Sequence, residues 1–294
     1  MSEMDQQFSK KTATLPVVVY KSGSQVLEPG HMFRAMWADL KASRELAWRL
    51  FIRDLSSQYR QSLFGILWAF LPPIVTGLIF ILLQSRRVID FGETAIPYPV
   101  YVLVGTVLWQ VFVESLNAPL KAVTAAKPFL VKINFPREAV VLSATYLVIF
   151  NLGIKIVVIA AFFLIFNITP TWGLLIAPFA LLMLMLLGIC LGLLITPIGL
   201  LYSDIGSSLP IVTQILFFFT PVVYSPPDTF PFSLITVINP VSPLLIAARD
   251  LISTGMISNI VPFSVVSGVT LIFIGIAWMI YRISLPIIIE RMSA

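Results

Sequence analysis

The side chains able to carry chemistry are few and scattered. A single histidine, His31, and a single cysteine, Cys190, leave no material for a His/Cys metal site, a disulfide framework or a CxxC redox pair. His31 reads as a solvated residue on a polar face, and no metal is expected. The sequence has no G-x-x-x-x-G-K-[ST] loop to cradle nucleotide phosphates, no H-E-x-x-H zinc helix and no G-x-S-x-G nucleophile turn. Membrane hydrolysis and metalloproteolysis are thereby disfavoured. Three ionisable residues fall in or beside apolar stretches: Lys155 toward the middle of one, Glu114 and Asp204 near the cytoplasmic ends of others. An ion-coupled transporter ordinarily needs such groups near the bilayer midplane, and often two inverted halves. Neither a relay nor an internal repeat is apparent, so the energy for any transport is expected from another chain. Lys155 itself reads as snorkelling or meeting a backbone carbonyl.

The scaffold that must hold these residues is a membrane one. Of 294 residues, 58% are hydrophobic and 11% charged, with mean hydropathy +0.96; soluble domains run near half apolar and a quarter charged. A soluble globular enzyme is excluded. Apolar blocks at 64–83, 100–119, 139–166, 172–200, 209–224 and 260–281 approach or exceed the roughly 20 residues that cross a bilayer. They predict an all-α membrane protein with six transmembrane helices. Residues 1–30 read as a cytoplasmic tail with no cleavable signal, residues 31–63 as an amphipathic interface helix and the approach to the first span, and 64–294 as the transmembrane domain. Phe33, Trp37, Leu40, Trp48, Phe51 and Leu55 recur at helical spacing, with Lys41, Glu45, Arg49 and Arg53 at i, i+4 intervals. Such a helix lies in the cytoplasmic headgroup layer; packing on a soluble partner would give the same periodicity.

Nine of the 19 Lys and Arg residues precede the first span, Lys121, Lys127, Lys132 and Arg137 sit in loop 120–138, and Arg282 and Arg291 follow the last span. Only Arg86, Arg87 and Arg249 fall on the other side. The positive-inside rule then places both termini in the cytoplasm. The net charge of +5 is an orientation signal and an attraction to anionic lipid, with no call for nucleic acid. Segment 225–259 is apolar but broken by Pro226, Pro227, Pro231, Pro240 and Pro243. Its two runs, 230–238 and 243–253, are too short to cross, which predicts two short re-entrant helices between the fifth and sixth spans, forming an outer gate segment. Two interfacial helices without a gating role are the alternative. Gly188-x-x-x-Gly192 is a small-xxx-small helix-packing site, read as packing within the chain. Asn167-Ile168-Thr169 matches a glycosylation acceptor by chance.

Several stretches, in order, are similar to a known family. They begin with Arg44-Glu45-Leu46, then Arg53-Asp54-Leu55-Ser56-Ser57-Gln58-Tyr59-Arg60-Gln61-Ser62 and Leu63-Phe64-Gly65-Ile66-Leu67-Trp68 with Pro72. Gly105, Trp109, Phe112, Glu114 and Asn117 follow, then Lys127-Pro128-Phe129-Leu130-Val131-Lys132-Ile133-Asn134-Phe135-Pro136-Arg137-Glu138. Thr220-Pro221-Val222-Val223-Tyr224, Asn239-Pro240 and Arg249-Asp250 complete the set. Over about residues 44–285 the chain resembles the permease subunits of ABC-type polysaccharide exporters, the membrane halves of machines that export lipid-linked O-antigen, teichoic acid and related glycans. Ser203, beside Asp204, stands where that family commonly carries arginine, so a charged contact at that turn is not carried over.

The resemblance implies a homodimer in a bacterial inner membrane, paired with two ATP-binding-cassette ATPase subunits that hold the ATP and Mg; this chain needs no cofactor and is not itself an enzyme. Loop 120–138 is then the ATPase-coupling segment, with Phe129, Phe135 and Pro136 as apolar anchors and Lys132, Arg137 and Glu138 as its rim. Arg44, Arg53 and Arg60 are candidate partners for a lipid pyrophosphate, because guanidinium forks grip phosphate bidentately; solvated orientation charge is the alternative for each. A glycan passage needs ring-shaped apolar faces with hydroxyl and amide partners. Tyr59, Phe64 and Trp68 of the first span and Gln214, Phe217, Phe218 and Tyr224 of the fifth offer that mixture, though packing or lipid contact accounts for single rings equally well. Asn239, Pro240, Arg249 and Asp250 fall in the outer gate. A permease of the same fold exporting a lipid or drug, or an autonomous secondary transporter or channel, are the competing readings.

Overall fold

A computed structural model describes residues 29–59, 70–85, 94–130, 136–226 and 236–293. Every regular element among the described residues is helical. The chain divides into two units between Lys41 and Ala42. The described part of the first is residues 29–41 of α1 (Pro29–Ala42), in which the Lys41 ammonium sits 5.8 Å above the Trp37 ring.

The second unit contains α2 (Arg44–Tyr59), α3 (Leu71–Ser85), α4 (Tyr98–Leu130), α5 (Glu138–Ile165), α6 (Ala177–Leu201), α7 (Ser203–Phe219), α8 (Val241–Ser253) and α9 (Ile260–Ser293). The amphipathic stretch expected as one helix is therefore two, parted at Ser43. The Ser43 carbonyl accepts the Ala47 N–H at 2.8 Å, and serine at a helix start favours a break over continuation. On α2, Ala47 and Phe51 are buried while Glu45 and Arg49 form an exposed i, i+4 pair. The Phe51 ring meets Tyr146 and Phe150 of α5 at 6.2 and 6.1 Å.

Among the described residues four helices, α4, α5, α6 and α9, are long and apolar enough to cross a membrane, and the protein is a multi-pass membrane protein. The apolar α7 has 17 residues, about 25 Å of helix against about 30 Å of hydrocarbon. The described part of α3 has 15; the start of the expected first span, 64–69, lies outside the described residues. The span expected at 172–200 begins instead with a 3-10 turn, Trp172–Leu175, ahead of α6.

The largest departure is α4. Its span was expected to end at Pro119, followed by loop 120–138, but the helix runs 33 residues through Pro119 and Pro128 to Leu130. Proline removes one backbone hydrogen bond, yet a packed neighbour sustains the helix: Leu120, Val123 and Ala126 remain buried along one face. Membrane helices tolerate proline where neighbouring groups take up the freed backbone.

α4 and α6 form the centre, and both are mostly buried. Glycines let them approach. A Cβ on Gly188 would lie 2.6 Å from Ser115 Cβ, and one on Gly192 would lie 2.4 Å from the Leu116 carbonyl oxygen. The Gly188-x-x-x-Gly192 pair is thus spent within the chain. Around this centre, α5, α7 and α9 turn broad apolar faces outward, among them Val157, Leu164, Ile211, Phe218, Val265 and Ile272. Faces of this breadth meet lipid or protein.

Candidate functional site

The polar residues converge at two places. The first is the end of α7, where the helix stops at Phe219 and Pro221 prevents its continuation. The turn that follows has carbonyls with no helical partner, and four side chains from elsewhere supply donors. Arg249 of α8 donates from one guanidinium nitrogen to the Pro221 and Val222 carbonyls at 2.8 and 3.3 Å. Tyr98 donates to the Val223 carbonyl and Tyr101 to the Tyr224 carbonyl, both at 3.1 Å. Asn239 donates to Thr220 Oγ1 at 2.7 Å and accepts the Val241 N–H at 3.0 Å, so it joins the turn to the first turn of α8. Gly105 completes the fit: a Cβ there would fall 2.0 Å from the Val222 carbonyl oxygen.

The second place is a cavity of about 590 Å³ where α4, α5 and α7 meet, edged by Gln58 of α2 and Pro72 of α3. Glu114, at the midpoint of α4, and Lys155 of α5 form an ion pair of 2.5 Å in its wall. The Lys155 side chain is 4% exposed and that of Glu114 is 36% exposed. Trp109, Gln110 and Asn117 of α4, Asn151 of α5, and Thr213 and Gln214 of α7 complete most of the lining, with Lys121 beside them. Pro210 and Gly206 also line it; Pro210 has no N–H to give the Gly206 carbonyl four residues back. Glu114 Oε2 and Asn151 Oδ1 are buried without a hydrogen-bond partner among the described residues. Charged groups inside a membrane bundle ordinarily pair and face a cavity or pathway, and this pair does both.

Of the residues anticipated for the passage, Gln214 lines this cavity, and Phe217 packs edge-on against Trp109 at 5.8 Å. Phe218 is 66% exposed on the outer face of α7. The Tyr224 hydroxyl donates to the Phe218 carbonyl at 3.0 Å, closing the turn on itself. The Tyr59 side chain, Arg60, Phe64 and Trp68 lie outside the described residues. Among the outer-gate residues, Asn239 and Arg249 meet at the α7 turn. Pro240 is exposed at the start of α8, and Asp250 accepts the Ser258 N–H at 3.1 Å beyond its end.

The anticipated coupling residues spread over two elements. Phe129, on the last turn of α4, is exposed and lies 5.8 Å from the Arg53 guanidinium, which Asp54 holds at 2.7 Å. Both line an apolar hollow of about 290 Å³ between α2, α4 and α5. Pro136 is exposed and Arg137 half-buried at the start of α5. Glu138, expected on an exposed rim, is buried and pairs with Arg282 of α9 at 3.0 Å. Lys132 and Phe135 lie outside the described residues, and Arg44 is exposed on α2.

The sequence reading missed the Glu114–Lys155 pair, treating the two as separate residues at different depths. Their opposite charges in two consecutive predicted spans were the available signal.

Residues 45–253 match the family described as ABC-2 type transporter. The chain is 22% identical over 247 residues to the O-antigen export system permease protein RfbA of Myxococcus xanthus, covering 83% of this chain and 94% of that protein. To the O-antigen export system permease protein RfbA of Klebsiella pneumoniae it is 25% identical over 233 residues, covering 76% of this chain and 87% of that protein.

Proposed function

Because the chain belongs to the ABC-2 type transporter family, we propose that it is the permease of an ATP-driven exporter that moves a lipid-linked, O-antigen-like polysaccharide across a bacterial inner membrane. The observation that carries this is the similarity to O-antigen export permeases across nearly their whole length. Two copies of the chain form the passage, and two separate ATPase subunits drive it with ATP and Mg. Both termini are cytoplasmic, and α3 and α7 complete a set of six spans with α4, α5, α6 and α9. The buried α8 is a re-entrant helix on the outer side, held by the Arg249 and Asn239 contacts.

In this arrangement the C-terminal turns of α4, with Phe129, and the following segment to Glu138 carry the force of ATP hydrolysis into the bundle. Arg44, Arg53 and Arg60 meet the lipid pyrophosphate at the cytoplasmic surface. The lipid tail stays in the membrane, since each CH₂ favours hydrocarbon by about 0.8 kcal/mol, and only the glycan enters between the permeases.

The test is a strain lacking this chain. Lipid-linked glycan accumulates in the cytoplasm, surface glycan is lost, and re-expression with its ATPase restores export. Unchanged surface glycan, with altered export of a lipid or drug instead, favours the same fold with another cargo. Transport by the purified chain with no ATPase present overturns the exporter reading altogether.

A further inference from the structure

The cavity between α4, α5 and α7 has a lining that suits one chemical class. The charges of Lys155 and Glu114 in its wall cancel, because the two pair at 2.5 Å. Lys121, the other charged residue in the described lining, is solvent-exposed. The remaining polar groups of Gln110, Asn117, Asn151, Thr213 and Gln214 are neutral amides and a hydroxyl. Each amide offers both a carbonyl acceptor and N–H donors. A phosphate brings acceptors only and leaves the amide carbonyls without a donor. A hydroxyl donates to those carbonyls and accepts from the amide N–H groups in return. Trp109 adds an indole to the wall, an apolar ring of the kind that suits the C–H face of a sugar. The volume, about 590 Å³, lies within the roughly 300–1,000 Å³ of small-ligand sites.

We infer that this cavity is a binding subsite for neutral, hydroxyl-rich rings, contained within a single copy of the chain and distinct from the arginines assigned to the pyrophosphate. The assignment rests on the glycan-export reading for the identity of the natural cargo. The subsite itself is general for uncharged sugars, because its lining consists of amides, a mutually neutralised ion pair and one indole. In the export cycle it holds a sugar residue while the two halves of the exporter change shape.

The test uses the full chain in lipid nanodiscs, with fluorescently labelled maltotriose as probe and inorganic pyrophosphate as the anionic competitor. Maltotriose binds saturably, excess unlabelled maltotriose displaces it and pyrophosphate does not. Asn151→Leu and Gln214→Leu each weaken binding about tenfold, the scale of one or two lost neutral hydrogen bonds. Gln214 is exposed on α7, so its variant reports on the site even where Asn151→Leu fails to insert. As a second measurement, a Cys190→Ala, Gln214→Cys chain is alkylated by a soluble maleimide, and maltotriose slows the reaction. Absence of saturable binding, displacement by pyrophosphate, or affinity unchanged in both leucine variants overturns the subsite. These outcomes are read on the chain alone, whereas the export reading is tested in cells. Glycan export without maltotriose binding therefore removes the subsite and leaves the function standing, and the converse result does the opposite.

Discussion

The guanidinium of Arg249 lies 4.0 Å from the ring centroid of Tyr101, and the two side chains together hold the Pro221, Val222 and Tyr224 carbonyls of the turn after α7. Arg249 is 2% exposed, so its charge is accommodated by the ring and the peptide oxygens. Lysine cannot reproduce this, having no planar face to lie against the ring. Arg249→Lys is expected to destabilise the chain by about 2–4 kcal/mol, as for a buried charge stripped of its partners, and Tyr101→Phe by about 1 kcal/mol for one hydrogen bond. Thermal unfolding in detergent followed by size-exclusion recovery measures both; equal losses would show that the stacked guanidinium is worth no more than one hydrogen bond.

The Glu114–Lys155 pair predicts a strong non-additivity. Lys155→Met leaves a carboxylate facing the cavity without its cation. The expected cost is about 3 kcal/mol, the low end for a broken buried pair, because Glu114 keeps 36% of its side-chain surface exposed. The double variant Lys155→Met with Glu114→Met is expected to recover most of that loss. A double-mutant cycle on unfolding temperature checks this, and additive losses would mean the two charges act independently.

Helix contact through glycine predicts a contrast between two positions. Gly192→Ala places a methyl 2.4 Å from the Leu116 carbonyl oxygen, whereas at Gly268 on α9 nothing lies within 4 Å. The first substitution is expected to cost about 1–3 kcal/mol by overpacking. The second is expected to be neutral or to stabilise by up to about 1 kcal/mol through helix propensity. Comparing the thermal recovery of the two variants decides it.

Coupling to the ATPase is checked at the end of α4. Phe129→Ala and Arg137→Glu are expected to lower co-purification of the ATPase severalfold while membrane insertion and thermal stability stay near those of the parent. Intact co-purification in both variants would place the contact elsewhere. Glu138→Gln serves as the contrast, because its carboxylate is turned inward to Arg282. Its expected effect is on stability rather than on partner retention.

Much of the helical framework was legible because apolar blocks and their length are local properties. Tyr98–Leu130, Glu138–Ile165, Ala177–Leu201 and Ile260–Ser293 each overlap a predicted span. The failures came where a local signal met a tertiary one. Pro119 and Pro128 are breakers on any local rule, yet α4 passes through both while its buried face is packed. Arg249 and Asp250 are neighbours in the expected outer gate segment, and adjacency could not tell that one reaches back to the α7 turn and the other forward to Ser258.

By itself the sequence determined that this is a helical membrane protein, that its basic residues gather before the first span and in one segment, and that it carries no phosphate-binding loop. Hydropathy, charge and motif are properties of single stretches, and a stretch keeps them whatever it packs against. Only the tertiary structure decided that Glu114 and Lys155, 41 positions apart, neutralise one another beside a cavity of amides, and that Arg249, Tyr98 and Tyr101 share one turn. Such pairings depend on the rotation of one helix about its axis relative to another. That rotation is set by contacts such as Gly192 against Leu116, which no single stretch contains.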